Sequence, residues 1–316
     1  MKYYLLFYLL FVCSCLVAQK KFSKEISFVT DNDLYVSVYR DRYYTNGTFL
    51  SYSYLAKHKN ENLEKKIIQW QIGQEMYTPN KAVVQNIELH DRPFAGYLYG
   101  SFGIKRVYRK NRILNTSIQI GAVGPNALGK ELQDFIHDIY NFEDAVGWEY
   151  QIKNAFALNL DAEYTSFLTK NKAHTFDVSW VNSGRLGTVY TNISSGINMR
   201  FSYIPLQNMM NSIAFNTNLN NESTNFKKEI ESFFYIKPTI RYSLFDATLQ
   251  GSFLNTNSPV TKKLIPFVFN VELGFKFTAY RFNFGYVFNY NTSKSKNLKH
   301  TFGHKYGTIQ VNYLLH

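Results

Sequence analysis

Two consecutive runs near the C-terminus alternate without a break. Phe267, Phe269, Val271, Leu273, Phe275 and Phe277 fall on one side of an extended chain, and Asn270, Glu272, Gly274 and Lys276 on the other. Phe282, Phe284, Tyr286, Phe288 and Tyr290 repeat the pattern against Asn283, Gly285 and Asn289. A period of two is the mark of a strand with two different faces. The short link Ala279-Tyr280-Arg281 makes the pair a hairpin. Each run has about 10 residues, the length a tilted strand needs to cross a bilayer.

Similar stripes recur upstream and downstream. Phe156, Leu158, Leu160, Ala162 and Tyr164 form one, Phe176, Val178 and Trp180 another. Ile236, Ile240, Tyr242 and Leu244 form a third, with Leu249 and Phe253 following after a turn at Asp246. Ile309, Val311, Tyr313 and Leu315 close the chain. A soluble β-sandwich also alternates. Here the apolar face is rich in aromatics, with 25 Tyr and 27 Phe in 316 residues, and the other face carries charge. The chain reads as all-β: an antiparallel transmembrane β-barrel of about 12 strands, from some 12 to 14 candidate runs, with a short helix near one rim.

The N-terminus fits export to an outer membrane. Lys2 precedes the apolar run Tyr3 to Ala18, which has signal-peptide length and is short for a spanning helix. Residues 1–19 are read as a signal peptide and 20–316 as the barrel. Cys15, in Val12-Cys-Ser-Cys15, offers lipidation as an alternative. Both cysteines of the chain lie in this segment, so no disulfide or Cys-ligated metal is expected in the barrel. The formal charge is +12. In an exported protein such a basic balance suits anionic lipid, and there is no nucleic-acid motif.

Two segments interrupt the strand rhythm. Asn208 to Glu231 is polar and Asn-rich, and is expected as an extracellular loop or as strand extensions. Ala127 to Tyr140 has helical spacing. Its apolar side, Leu128, Leu132, Phe135, Ile136 and Ile139, is expected to pack on a strand rim or in the barrel mouth.

Four polar clusters could carry chemistry. Asp31-Asn32-Asp33 offers hard oxygens to a cation such as calcium, or simply a turn. Asp41-Arg42-Tyr43-Tyr44-Thr45-Asn46-Gly47 holds an Asn-Gly turn signal and, in Thr45, a hydroxyl. Asp91-Arg92-Pro93-Phe94 places a guanidinium where it could hold phosphate, or where it stabilises a loop. The helical segment puts Gln133 and His137 on one face, four residues apart. Either it is surface, or His137 is a base. No Gly-x-Ser-x-Gly or His-Glu-x-x-His is present, so a serine nucleophile and a zincin mechanism find no support.

Taken in order on an aromatic barrel pattern, these clusters resemble the outer-membrane lipid A 3′-O-deacylase family (LpxR-type). The matching residues are Asn32-Asp33, Asp41-Arg42 with Tyr44-Thr45 and Gly47, Asp91-Arg92, Gly124-Pro125, Gly129, and Gln133 with His137. The resemblance implies a 12-stranded barrel and calcium-dependent hydrolysis of the ester holding the 3′ acyloxyacyl chain. It implies His137 as the base that activates water, and Asn32, Thr45 and Gln133 beside it. It implies Asp33 at the cation, and Glu143 matches a further acidic position. The family site lysine has no counterpart beyond Lys81, and Arg92 is assigned with it to the substrate. Lipid A or lipopolysaccharide is the implied substrate, outer-membrane lipids the surroundings, and a monomer is expected. The alternatives are another lipid esterase such as a phospholipase, or a non-enzymatic pore or adhesin.

Overall fold

The computed structural model describes residues 21–36, 42–81, 83–224 and 230–316. The signal-peptide reading and Asp41 fall outside the described residues. Twelve strands close a single antiparallel barrel in which every strand pairs with its sequence neighbours and β1 pairs with β12. They run β1 Lys24–Asn32, β2 Tyr43–Ala56, β3 Leu63–Thr78, β4 Ala95–Tyr108, β5 Arg112–Val123 and β6 Ala155–Lys170. They continue with β7 Phe176–Gly187, β8 Tyr190–Phe201, β9 Ser232–Asp246, β10 Phe267–Ala279, β11 Phe282–Asn291 and β12 His304–Leu315. The segment carrying Leu249 and Phe253 adds no strand. Asp246 instead caps a single helical turn, Ala247–Gln250, by accepting from Thr248 N–H.

The aromatic stripe faces outward. Phe267 and Phe269 of β10 and Trp180 of β7 are exposed, while Asp177, Ser179 and Asn270 point into the lumen and are buried. The lumen is polar and largely self-satisfied. Lys237 pairs with Glu272 at 2.7 Å, and Arg185 with Asp161 at 2.9 Å. This is how a closed sheet in lipid meets both constraints: no unpaired edge, and apolar groups toward the acyl chains.

The start of β1, the end of β12 and the hairpin link at Tyr280–Arg281 share one end, and the helical segment occupies the other. By the rule that bacterial barrels keep their termini and short turns in the periplasm, the helix end is extracellular. The Asn-rich segment corrects the expectation made for it. It lies at the periplasmic end and folds into the lumen. Buried Lys65 reaches Met210 O, Asn211 Oδ1 and Thr217 O at 2.7–2.8 Å. Arg200, 1% exposed, ties Asp177 to Glu231 and Ser212. Leu219 packs with Phe22, Ile67 and Leu314. Asn and Ser side chains suit this place because they satisfy inward-facing backbone and charge, a need as polar as that of a surface loop.

Candidate active site

The register of β1 to β5 defines the outer wall in transverse rows. Ile26, Tyr52, Trp70, Phe102 and Ile118 align, as do Phe28, Leu50, Ile72, Gly100 and Ile120. Two more rows follow toward the extracellular rim: Thr30, Thr48, Gln74, Leu98 and Ala122, then Asn32, Asn46, Met76 and Gly96. The lower two rows are what lipid requires. The upper two turn polar on the lipid-facing side, which asks for a cover.

The cover is helix α1, Gly129–Tyr140, preceded by a 3-10 turn at Pro125–Ala127. It docks on the outside of β3 and β4, not in the barrel mouth. A Cβ on Gly129 would lie 3.3 Å from Gly96 Cα and 2.7 Å from the Trp148 ring, so this contact is made backbone to backbone. Gln74 reaches out from β3 and donates to Ala127 O and Leu128 O at 2.7 and 3.0 Å. That clasp holds Leu128 at φ +54°, a conformation a leucine rarely adopts.

The buried face of α1 is the opposite of the expected one. Gly129, Gln133 and His137 are buried, while Leu128, Phe135 and Ile139 are exposed at 49, 61 and 62%. The physical reason is the medium. At the membrane interface the surroundings are apolar, so the helix shows lipid its leucine side and keeps its polar stripe against the wall.

A chain of directional hydrogen bonds sets the chemistry of that stripe. His137 Nδ1 lies 2.5 Å from Glu143 O. A carbonyl oxygen only accepts, so Nδ1 carries a proton. Trp148 Nε1–H donates to Gln133 Oε1 at 2.7 Å. An indole N–H only donates, so it fixes the amide and turns Gln133 Nε2 toward His137 Nε2, 3.5 Å away. His137 is 3% and Gln133 1% exposed. The result is a buried imidazole with Nδ1 on Glu143 O and Nε2 beside the Gln133 amide.

The facing wall supplies short polar groups. A bulge between Tyr44 and Asn46 turns Thr45 outward, where its Oγ1 meets Thr78 Oγ1 at 2.7 Å. The Asn46-Gly47 pair is therefore inside β2 and not a turn. Asn32 ends β1 in the same row, and its Oδ1 accepts from Leu34 N–H. Asp33 follows, buried, with Oδ2 accepting from Arg42 N–H at 2.8 Å. At about 4.8 Å per strand, Asn46 sits about 5 Å and Asn32 about 10 Å along the row from Met76. Met76 in turn packs with Trp148, Phe94 and Ala145. By register, Asn32, Asp33 and Thr45 lie at the upper ends of β1 and β2, and Gln133 and His137 on the helix that packs on β3 and β4.

Three other expected residues stand apart. Arg92 is turned inward and 4% exposed. Its donors go to Pro93 O, Tyr43 O, Thr248 O and Thr248 Oγ1, and its guanidinium lies over Tyr77. It binds loops together and offers nothing to a lipid phosphate. Asp91 does the same work, accepting from Tyr43 Oη–H, Asn80 N–H and Lys299 N–H. Glu143 has an exposed side chain and serves the site through its backbone oxygen. Lys81 is exposed in the loop after β3.

Trp148, Asn46, Gln74 and Thr78 were not expected. Asn46, Thr48, Gln74 and Thr78 carried a signal, since they break the outward apolar phase of their strands. Trp148 had none. We expect Trp148→Phe, which keeps the ring packing and deletes the N–H, to leave the barrel intact and lower kcat about tenfold, the worth of one orienting hydrogen bond. KM should hold. An unchanged kcat would remove Trp148 from the orienting chain.

The lumen offers a rival cavity of about 500 Å³. Two of its acids are occupied: Asp31 by Tyr44 and Thr308, and Glu75 by Tyr77 and Tyr190. Burial, then Arg241, hold the Lys294 ammonium down at about 8. The periplasmic end of the lumen is filled by residues 206–224, which disfavours a pore.

A helix docked on the outer wall of a twelve-stranded barrel with an outward aromatic stripe defines an outer-membrane protein. The sequence model of the family described as "Outer membrane protein LpxR" matches residues 5–315. The chain belongs to that family, and its place is the bacterial outer membrane. Its barrel is similar to that of LpxR from Salmonella typhimurium, with TM-score 0.72 and 19% identity over 92% of this chain and 99% of that one. The translocator domain of the autotransporter NalP from Neisseria meningitidis gives TM-score 0.44 and 11% identity over 96% and 91% of the two chains. No curated protein sequence gives a significant match. At these identities the structural likeness speaks for the fold.

Proposed function

We propose that this chain is a lipid A deacylase, hydrolysing the ester that holds the 3′ acyloxyacyl chain. The observation that carries the reading is the pairing, on one buried helical face, of His137, its Nδ1 on Glu143 O, with Gln133, whose amide is oriented by Trp148. A water between His137 Nε2 and the ester would give up its proton to Nε2 as it attacks the carbonyl carbon. The Gln133 amide has a second N–H, and the Thr45 and Asn32 side chains add donors, for the negative charge that grows on the carbonyl oxygen. Collapse of the tetrahedral species breaks the ester bond, and the proton on His137 passes to the leaving oxygen. Exposed Lys81 lies in a loop of the same end, where it can pair with a phosphate of lipid A.

Calcium is the proposed cofactor, and the donor chemistry fits it. Asp33 offers a buried carboxylate, and Asn32 and Thr45 offer neutral oxygens, the hard ligands calcium takes. Asp33 and Asn32 would hold the ion. Among the described residues no group of three or more His, Cys, Asp or Glu gathers, so water and substrate oxygens would complete the ion's ligands. A bound ion would supply polarisation of the ester carbonyl. Chelation by EDTA should lower release of the acyloxyacyl group from lipid A about 100- to 1,000-fold, and calcium should restore it. Undiminished hydrolysis in EDTA would take calcium out of the account.

A further inference from the structure

Below the candidate site, the outer wall carries an apolar groove of about 590 Å³. It forms because Gly100 sits in the middle of a row of large residues. A Cβ built there meets nothing within 4 Å, whereas Leu50, Ile72 and Ile120 in the same row are 51, 62 and 51% exposed and stand up on either side. Trp70 and Phe102, with ring centroids 4.7 Å apart, form its floor one row further down.

The groove lies below the site on the same strands. Gly100 lies on the same strand as Gly96, four residues away, with Leu98 between them on the outward phase. At about 3.4 Å per residue, the groove begins about 14 Å from the site row and its floor lies about 20 Å from it. The hydrocarbon core is about 30 Å thick, so the span from site to floor is about one leaflet. A chain esterified at the site and running down the wall would end at the Trp70–Phe102 floor.

We infer that this groove seats one acyl chain of the lipid substrate and that Gly100, with the Trp70–Phe102 floor, sets the chain length the enzyme prefers. The inference rests on the ester-hydrolysis reading and specifies its substrate. Lipid tails are as apolar as leucine, so the groove gains nothing from the hydrophobic effect against surrounding lipid. Its action is one of shape: a chain that fits holds the ester against His137 Nε2, and one that overruns the floor lifts it away.

The experiment uses the full-length protein in detergent micelles, with lipid A analogues graded in the length of the scissile acyl chain. Wild type should show a preferred length. Gly100→Trp should lower turnover of the longest chain about tenfold relative to the shortest, the scale of misfit in an apolar pocket. Ile120→Trp, which fills the groove from the other side, should act in the same sense. Gly184→Leu is the control. Gly184 is on the outward phase of β7, beside a second apolar groove at Trp180, Ile193 and Ile240 that is remote from the site. It should leave the length ratio unchanged. Length ratios unaffected by both Gly100→Trp and Ile120→Trp, with hydrolysis intact, would overturn the groove assignment and leave the hydrolase reading standing. A wild type that cleaves none of the analogues would overturn both.

Discussion

His137→Ala should abolish deacylation while leaving a folded barrel. A positioned general base is worth about 100- to 10,000-fold, so the loss should be at least about 100-fold. The prediction is sharp because the site has no second imidazole. Among the described residues, His90 has its Nε2 at Val84 O, and His304 has its Nε2 at Tyr44 O. Neither belongs to the stripe under α1. The fold check is heat-modifiable migration, which reports a closed barrel. The rate check is release of the acyloxyacyl group from lipid A. Normal migration with undiminished release would remove His137 from the chemistry.

Gly129→Val should be nearly as damaging for a different reason. The new side chain would have to enter a space already held by the Trp148 ring and the Gly96 backbone. Overpacking of this kind costs about 1–3 kcal/mol when the surroundings can shift. Here the cheap shift is to lift α1 from the wall, since the helix is pinned to it mainly by the Gln74 clasp and the Trp148–Gln133 hydrogen bond. Displacing His137 by about 1 Å from its working position is enough for a 100-fold loss of rate. The twelve-stranded closure does not involve α1, so migration of the folded barrel should be unchanged. Activity close to wild type in Gly129→Val would mean that close docking of α1 is not needed.

The fold was legible because lipid leaves a chain few options. The outward stripes of β10 and β11 could be read residue by residue, and their phase in the structure is the one the sequence displays. The order of polar clusters in the first half pointed to Asn32, Asp33, Thr45, Gln133 and His137; register puts the first three at the upper ends of β1 and β2, and the last two share the buried face of α1. The burial of α1 was read backwards because an amphipathic pattern says only that two faces differ. Which face is buried depends on the medium, and Phe135 and Ile139 point to lipid. Arg92 illustrates a second limit. A guanidinium at a barrel mouth looks the same in sequence whether it meets a phosphate or the carbonyls of Tyr43 and Thr248. Trp148 was hidden among many aromatics, and only its N–H direction sets it apart. The described part of the Asn-rich segment, 208–224, lies at the other end from the one its composition suggests, because a loop in water and a plug in a polar lumen need the same residue types.

Mass spectrometry of lipid A from bacterial cells producing the wild-type chain or His137→Ala tests the central claim most directly. Wild type should convert lipid A to a species lighter by the 3′ acyloxyacyl group, and His137→Ala should leave it intact. Unaltered lipid A in cells with folded wild-type protein in the outer membrane, or equal conversion by the two proteins, would contradict the account.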